Sequence, residues 1–354
     1  MRPLGSRLIV GGIVLVVMAV VVFTGEGIDA YYRSRLVDMV HGTAHRPYVF
    51  RVLVPGSARL GTLLIPLRAK LWLADAFRTW SWRPDGWDPA YASDYLLVLV
   101  AMALSLIGFV SAMGSLFHAV FTARPFQASL TSVMALAAVP IFFGPFSRQI
   151  YDFTTLWLFT LGLALIARAR WRAFVVLFPL ACLNKETAIL LSLVFVIRRV
   201  RCPRAWPGST FRWLLAYQLV TFLIIRTGLQ YIFRNNPGST VEMHLFDHNW
   251  QVLLHPSWMS KRLLLFVGAI LVGVRDWKRK PTFLRDALLA LAPVLLVMGL
   301  TVGQVDEIRA YYEVYPVVAL LMADTIFRQL RAPLSPVPGV RMRAPRLFYE
   351  TVSR

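Results

Sequence analysis

Cysteine is nearly absent: Cys182 and Cys202 are the only two in 354 residues. Two thiols cannot make a disulfide framework, and in the topology derived below they lie at different membrane depths, so redox chemistry is not expected. Acidic residues are also scarce, 18 against 38 Lys and Arg, which leaves a formal charge of +20. In a largely apolar chain the position of such basic residues reports membrane sidedness rather than a nucleic-acid partner, and no nucleic acid is expected. No G-x-G-x-x-G follows a strand pattern and no P-loop occurs, so a nucleotide-binding signature is missing. Histidines number 6. His244 and His248 in "HLFDH", like His41 and His45, have i, i+4 spacing, but the Glu of H-E-x-x-H is missing and the segment reads as a polar loop. His118 reads as a packing residue. "NNPG" reads as a turn, and Pro237 keeps Asn236 from starting an N-x-S/T sequon.

Long apolar runs dominate instead. The chain is 57% hydrophobic with a mean hydropathy of +0.60. Apolar spans lie at 8–24, 94–118, 127–146, 153–167, 213–232, 263–274, 286–303 and 308–327, with an interrupted run at 173–197. Each approaches the roughly 20 residues that cross about 30 Å of hydrocarbon, which predicts an all-α, polytopic transmembrane helical bundle of about nine or ten spans. The first run, "LIVGGIVLVVMAVVVFTGEG", is long and lacks an A-x-A-like ending, so it is expected to be retained rather than cleaved. Basic residues gather in "ARARWR" (167–172), "IRRVRCPRAW" (197–206), "VRDWKRKPTFLR" (274–285) and the tail from Arg328. The positive-inside rule puts these in the cytoplasm, the N-terminus with them, and residues 25–92 in one long external loop. Residues 1–327 thus form the transmembrane domain and 328–354 a basic cytoplasmic tail.

The interrupted run contains "CLNKETA". Both its flanks are cytoplasmic on this reading, so it must cross an even number of times, yet about 25 residues are too few for two full helices. A broken pair of short helices satisfies both demands, with Pro179 helping to end the first, "NKET" at the external turn, and Thr187 or Asn184 capping the second. Irregular backbone at membrane depth survives only where protein or a watery cavity surrounds it, so "NKET" is expected to line an external-facing cavity. The competing reading is one long helix with a self-neutralised Lys185–Glu186 pair.

The external loop opens with "TGEGIDAYYRSRLVDMVHG", which places Glu26 and Asp29 just outside the membrane. Its next stretch, 46–77, carries Arg51, Arg59, Arg68 and Lys70 at intervals suited to amphipathic helices lying in the interface, broken at Pro55-Gly56 and Pro66. "TWSWRPDGWDPAYASDY" then supplies an interfacial aromatic belt. "SRQIYDFTTLW" puts Arg148 and Asp152 at the external end of one span. In "GQVDEIRAYYEVYPVV", read as the start of the last span, Asp306, Arg309 and Glu313 share one helical face, while Glu307 points about a quarter turn away. Separate segments therefore send carboxylates and cations to one side, which points to a boundary site for an anionic ligand. Arg309 neutralising Glu313 on a packing face is the bland alternative.

The stretches "RPYVFRVLVP", "NKETAILL" and "DEIRAYYEVYP", with the overall plan of most of the chain, resemble the membrane-embedded C-type glycosyltransferase superfamily and related bacterial integral membrane proteins. The resemblance implies an inverting enzyme of the bacterial cytoplasmic membrane. Such an enzyme moves a sugar from a polyprenyl-phosphate donor to an envelope glycan, lipid or protein acceptor on the external side. It also implies a catalytic carboxylate early in the first external loop. Asp29 matches that position best and Glu26 second, although the chain lacks an adjacent acidic dipeptide there. Such chemistry asks for a base on the acceptor hydroxyl and cations on the departing phosphate. Lys185, Arg51 and Arg309 are the candidate phosphate ligands. Asp152 and Glu307 are candidates for sugar hydroxyls or for orienting the cations, and Glu186 for either work in the site or balancing its neighbour. No cofactor or metal ligand is assigned, with a divalent cation left open. Membrane lipids are expected partners.

The alternative class is a transporter or flippase of lipid-linked sugars or other anionic envelope precursors, because broken helices with charges at the break also mark transporters. Against it, no internal repeat is evident and the charges gather at one face. Envelope polymerases and acyltransferases form a third class, but the histidines expected deep in the membrane for acyl transfer lie mostly in loops.

Overall fold

Apolar runs of helical length, bounded by arginine-rich or Gly/Pro-containing connections, fold in a computed structural model into 14 α-helices among the described residues, which with their short 3-10 turns are about 80% helical. The structure describes residues 4–23, 31–80, 86–122, 124–143, 149–201, 208–255, 261–330 and 332–337. In chain order the helices are α1 (Leu4–Phe23), α2 (Leu36–His41), α3 (Leu53–Leu64), α4 (Leu67–Thr79), α5 (Ala92–Val120), α6 (Pro125–Phe143) and α7 (Asp152–Ala167). They continue with α8 (Trp171–Asn184), α9 (Leu190–Arg201), α10 (Gly208–Ile232), α11 (Trp250–Leu254), α12 (Lys261–Val274), α13 (Thr282–Thr301) and α14 (Tyr315–Gln329). Four of these, at Pro89–Val120, Pro125–Phe142, Gly208–Ile232 and Thr282–Thr301, are long and apolar enough to cross a membrane. The shorter apolar helices Leu8–Phe23, Asp152–Ala167 and Trp171–Asn184 run beside them.

The bundle has two chemically distinct ends. At one, Arg198 and Arg201 reach Asp286 at 3.6 and 3.8 Å, Arg168 donates to the Ser115 carbonyl, and Lys280 is buried against Asp324 at 2.9 Å. A two-residue strand pair, Phe121–Thr122 with Ser335–Pro336, closes this arginine end. At the opposite, loop end, the segment 31–52 lies on the 233–249 connection. Arg33 pairs with Glu242 at 2.7 Å, and Asn236 donates to the Gly42 and Ala44 carbonyls. Gly238 makes that docking fit: its φ is +89° and a Cβ there would stand 2.5 Å from the Arg46 carbonyl oxygen.

Packing is closest between α5 and α7, where small residues let the backbones approach. A Cβ on Gly108 would meet the Trp157 indole at 2.5 Å. A buried hydrogen bond of 2.7 Å between Ser105 and Thr154 sets the register. Ser105 lies thirteen residues into α5 and Thr154 two into α7, so at 1.5 Å per residue α7 begins about 17 Å below the loop end of α5.

Several sequence expectations are corrected. Helix α8 continues through Pro179 to Asn184, so the break falls at Lys185, not at the proline. Two short helices, α8 and α9, do meet there, joined by a 3-10 turn at Glu186–Ile189. Helix α3 runs through Pro55-Gly56, because Pro55 sits in its first turn, where a missing N–H costs little. The break at Pro66 separates α3 from α4. The helix expected as the last span starts at Tyr315 rather than 308. Pro316 occupies the first turn of α14, and residues 304–314 approach it as turns and a 3-10 segment, Ile308–Tyr311. Asp306, Arg309 and Glu313 therefore share no helical face. The aromatic stretch lies partly outside the described residues, but Trp87 stacks on Tyr95 at 4.2 Å. The basic tail beyond 337 is outside the described residues.

Candidate functional site

Where α7 begins, α8 ends and the 304–314 segment turns toward α14, side chains from four stretches of sequence form one charged cluster. Arg51 comes from the turn following Tyr48–Phe50. Its backbone is pinned beside the α8 break by the Val52 N–H, which donates to the Leu183 carbonyl at 2.9 Å. The Arg51 guanidinium grips Glu186 with two N–H groups, at 2.9 and 3.4 Å. It also donates to the Tyr151 hydroxyl and lies over the rings of Tyr151 and Tyr48 at 4.4 and 5.4 Å. A planar, forked cation suits this combination of bidentate contact and stacking.

Next to it, Asn184 closes α8 by donating to the Tyr151 carbonyl at 3.1 Å and to Thr155 at 2.8 Å, so neither it nor Thr187 caps α9. Lys185 turns away from Glu186 and pairs with Glu313 at 3.1 Å, and the Thr187 hydroxyl donates to the same carboxylate. Arg309 is held by Glu307 and faces Asp152 at 3.9 Å, an ion pair beyond hydrogen-bond length. Asp152 thus lies within electrostatic reach of Arg309, Lys185, Arg51 and Glu307 together. Tyr48 adds a phenol that burial pushes above its ordinary range against the pull of Arg309.

Two properties decide what this arrangement can bind. First, the charges are internally matched: Arg51 with Glu186, Lys185 with Glu313, and Arg309 with Glu307 and Asp152. Second, some buried acceptors are left without donors among the described residues, namely Asp152 Oδ2, Asn184 Oδ1 and Glu313 Oε2. Buried oxygens of this kind are costly unless a donor reaches them, which suits a ligand rich in hydroxyl groups. Glu186, Glu307 and Arg309 are the accessible members, at 26, 22 and 17% side-chain exposure.

The cluster brings together six residues singled out from sequence: Arg51, Asp152, Lys185, Glu186, Glu307 and Arg309. It lies recessed, level with the first turn of α7 and below the loop end of α5. Asp29, Glu26 and Arg148 lie outside the described residues. Asp306 is not in the cluster; it pairs with His248 at 2.8 Å. Glu313, Tyr48, Tyr151 and Asn184 are members that sequence reasoning did not assign. Glu313 is an ionisable residue at the edge of an apolar run, which is the signal that marks it. Among the described residues no group of three or more His, Cys, Asp or Glu is placed to hold a metal ion. Comparisons with protein-family models, curated proteins and solved structures return no match.

Proposed function

We propose that the protein is a membrane glycosyltransferase that moves a sugar from a polyprenyl-phosphate donor to an envelope acceptor on the external side of the bacterial cytoplasmic membrane. One observation carries this reading: Arg51, Asp152, Lys185, Glu186, Glu307 and Arg309, from four separate stretches, meet in one recessed cluster amid apolar helices. Donor-poor buried oxygens at Asp152 and Glu313 fit a polyhydroxyl ligand. In the reaction, Asp29, or Glu26 as second choice, takes the proton from the acceptor hydroxyl. That oxygen bonds to the anomeric carbon, and the bond from this carbon to the phosphate oxygen breaks with its electron pair leaving on the phosphate. Arginine and lysine at the cluster would stabilise that developing charge.

The test is transfer by the purified protein in nanodiscs, using a panel of polyprenyl-phosphate sugars and wild type against Asp29→Asn. Transfer or donor hydrolysis that Asp29→Asn removes supports the assignment. Equal turnover by both proteins removes Asp29 as the base.

A transporter or flippase of lipid-linked sugars is the second reading, favoured by the internal matching of the cluster's charges and by its depth beside the broken pair α8 and α9. Proteoliposomes loaded with a fluorescent lipid-linked sugar separate the two. Movement across the bilayer without any change in covalent linkage supports the transporter.

A further inference from the structure

The charge matching raises a question the cluster does not answer: which cation is available to a phosphate. Arg51, Lys185 and Arg309 each have a carboxylate of their own. Arg226 does not. It projects from α10, eighteen residues above Gly208, which at 1.5 Å per residue is about 27 Å from the arginine end and near the level of the α8 break. Its guanidinium lies over the Phe50 ring at 4.6 Å, and among the described residues no ion pair within 4 Å and no hydrogen bond holds it directly. An arginine on a helix long and apolar enough to cross a membrane is expensive there unless an anion or water meets it.

Arg226 also has a defined place to meet one. It shares a small cavity with Glu186, Cys182 and Phe50, closed on the α10 side by Phe222, Ile225 and Leu229. The free space is about 10 Å³, roughly the room of one water-sized group. A single phosphate oxygen fits inside, with the rest of the group at the mouth. Helix α10 buries only Gln218 and Leu229 against the bundle and exposes Leu223 and Ile224 on its outer face by 61 and 64%. The cavity therefore lies under the least embedded of the long apolar helices, where a lipid tail could lie along α10. Glu186 links it to the cluster, because the carboxylate that lines the cavity is the one Arg51 holds.

We propose that Arg226 is the cation that receives phosphate, and that a lipid-linked phosphate monoester or diester reaches it sideways, between α8 and α10, with its tail in the bilayer. The proposal rests on the reading above for the lipid-linked class of ligand. Arg226 then anchors the head group, while Arg51, Lys185 and Arg309 hold the cluster in shape and face the charge that develops on the leaving phosphate.

Binding of dodecyl phosphate, dodecanol and inorganic phosphate to the full-length protein in maltoside micelles, followed by calorimetry, tests this. Wild type should bind dodecyl phosphate saturably and dodecanol weakly, and Arg226→Gln should weaken the phosphate lipid about tenfold or more. Wild-type affinity in Arg226→Gln overturns the proposal. Inorganic phosphate is expected not to compete; competition at the concentration of dodecyl phosphate overturns the lipid-linked claim. Where Arg226→Gln lowers the unfolding temperature, Arg226→Lys carries the test. It keeps the charge, so several-fold weaker binding at an unchanged unfolding temperature supports the fork geometry, and wild-type affinity overturns it. The two readings fail separately. Arg226-dependent binding without sugar transfer from any donor leaves the phosphate site and removes the transferase. Transfer that survives Arg226→Gln with an unchanged KM for the donor removes the site and leaves the transferase.

Discussion

Lys185 and Glu313, 128 residues apart in sequence, form an ion pair of 3.1 Å in which the lysine side chain is 10% exposed and the carboxylate not at all. The pair joins the α8 break to the segment leading into α14. Because Thr187 is the other donor to this carboxylate, Lys185 alone balances its charge.

Removing one partner should therefore hurt more than removing both. Lys185→Met leaves a buried, uncompensated carboxylate and is expected to cost about 3–5 kcal/mol, whereas Lys185→Met with Glu313→Leu should regain most of that loss. Thermal unfolding of the two single variants and the double variant in detergent measures the coupling. Losses that simply add would mean the two groups are independent.

Arg51 should not tolerate lysine. A lysine keeps the charge but loses the two-point grip on Glu186 and the stacking on Tyr151 and Tyr48. Arg51→Lys is expected to be destabilised by about 1–3 kcal/mol and, on the transferase reading proposed above, to lose about as much donor affinity as Arg51→Gln. Donor KM and unfolding temperature for both variants check this, and a wild-type KM in Arg51→Lys would show that charge alone suffices at this position.

Much of this site was legible because charge is conspicuous in an apolar chain. Lys185 and Glu186 interrupt a greasy run, and Asp152 opens another, so both stretches announce an irregular or functional place. Pairing was not legible. The competing reading of "NKET" joined Lys185 to Glu186, and that of "DEIRAYYE" joined Arg309 to Glu313, both by proximity along the chain. The fold exchanges these partners: Glu186 goes to Arg51, Glu313 to Lys185, and Arg309 to Glu307 and Asp152. A helical wheel over 306–313 misleads because Pro316 delays the helix to Tyr315. Helix lengths read well in α5, α6, α10 and α13, where apolar composition is continuous. The offset of about 17 Å of α7 against α5 depends on the Ser105–Thr154 contact, to which no local pattern points. Arg226 carries no such mark: one arginine inside the apolar run 213–232 has no partner in its own stretch of sequence, and only the fold sets it beside Glu186.

Asn249 is expected to control the segment that carries Arg309 without touching it. It is fully buried, and its amide donates to the carbonyls of Gly299, Leu300 and Gly303 at 3.0, 2.9 and 2.7 Å and accepts from the Val305 N–H at 2.7 Å. Those bonds satisfy the frayed end of α13 and start the path toward Glu307. Asn249→Ala leaves several of these backbone groups unpaired, for a loss of about 2–4 kcal/mol by denaturant unfolding. Asn249→Asp keeps the acceptor but loses the donors, so it should fall nearly as far; wild-type stability in either variant would contradict this role.

The sidedness of the bundle can be read by labelling. If the loop end faces outward, a cysteine at exposed Ser239 should react with a membrane-impermeant maleimide in intact cells, whereas one at Lys278 should react only after permeabilisation. The background is low: the native Cys182 is buried, and a Cys202→Ser parent removes the other thiol. A second pair of positions tests the flanking helices. Leu64 and Trp72, on α3 and α4, are exposed by 84 and 69%, which for an interfacial helix means contact with lipid rather than water. Spin labels at these two positions should relax more with lipid-soluble oxygen than with a water-soluble nickel complex. The opposite preference would place α3 and α4 in the aqueous phase.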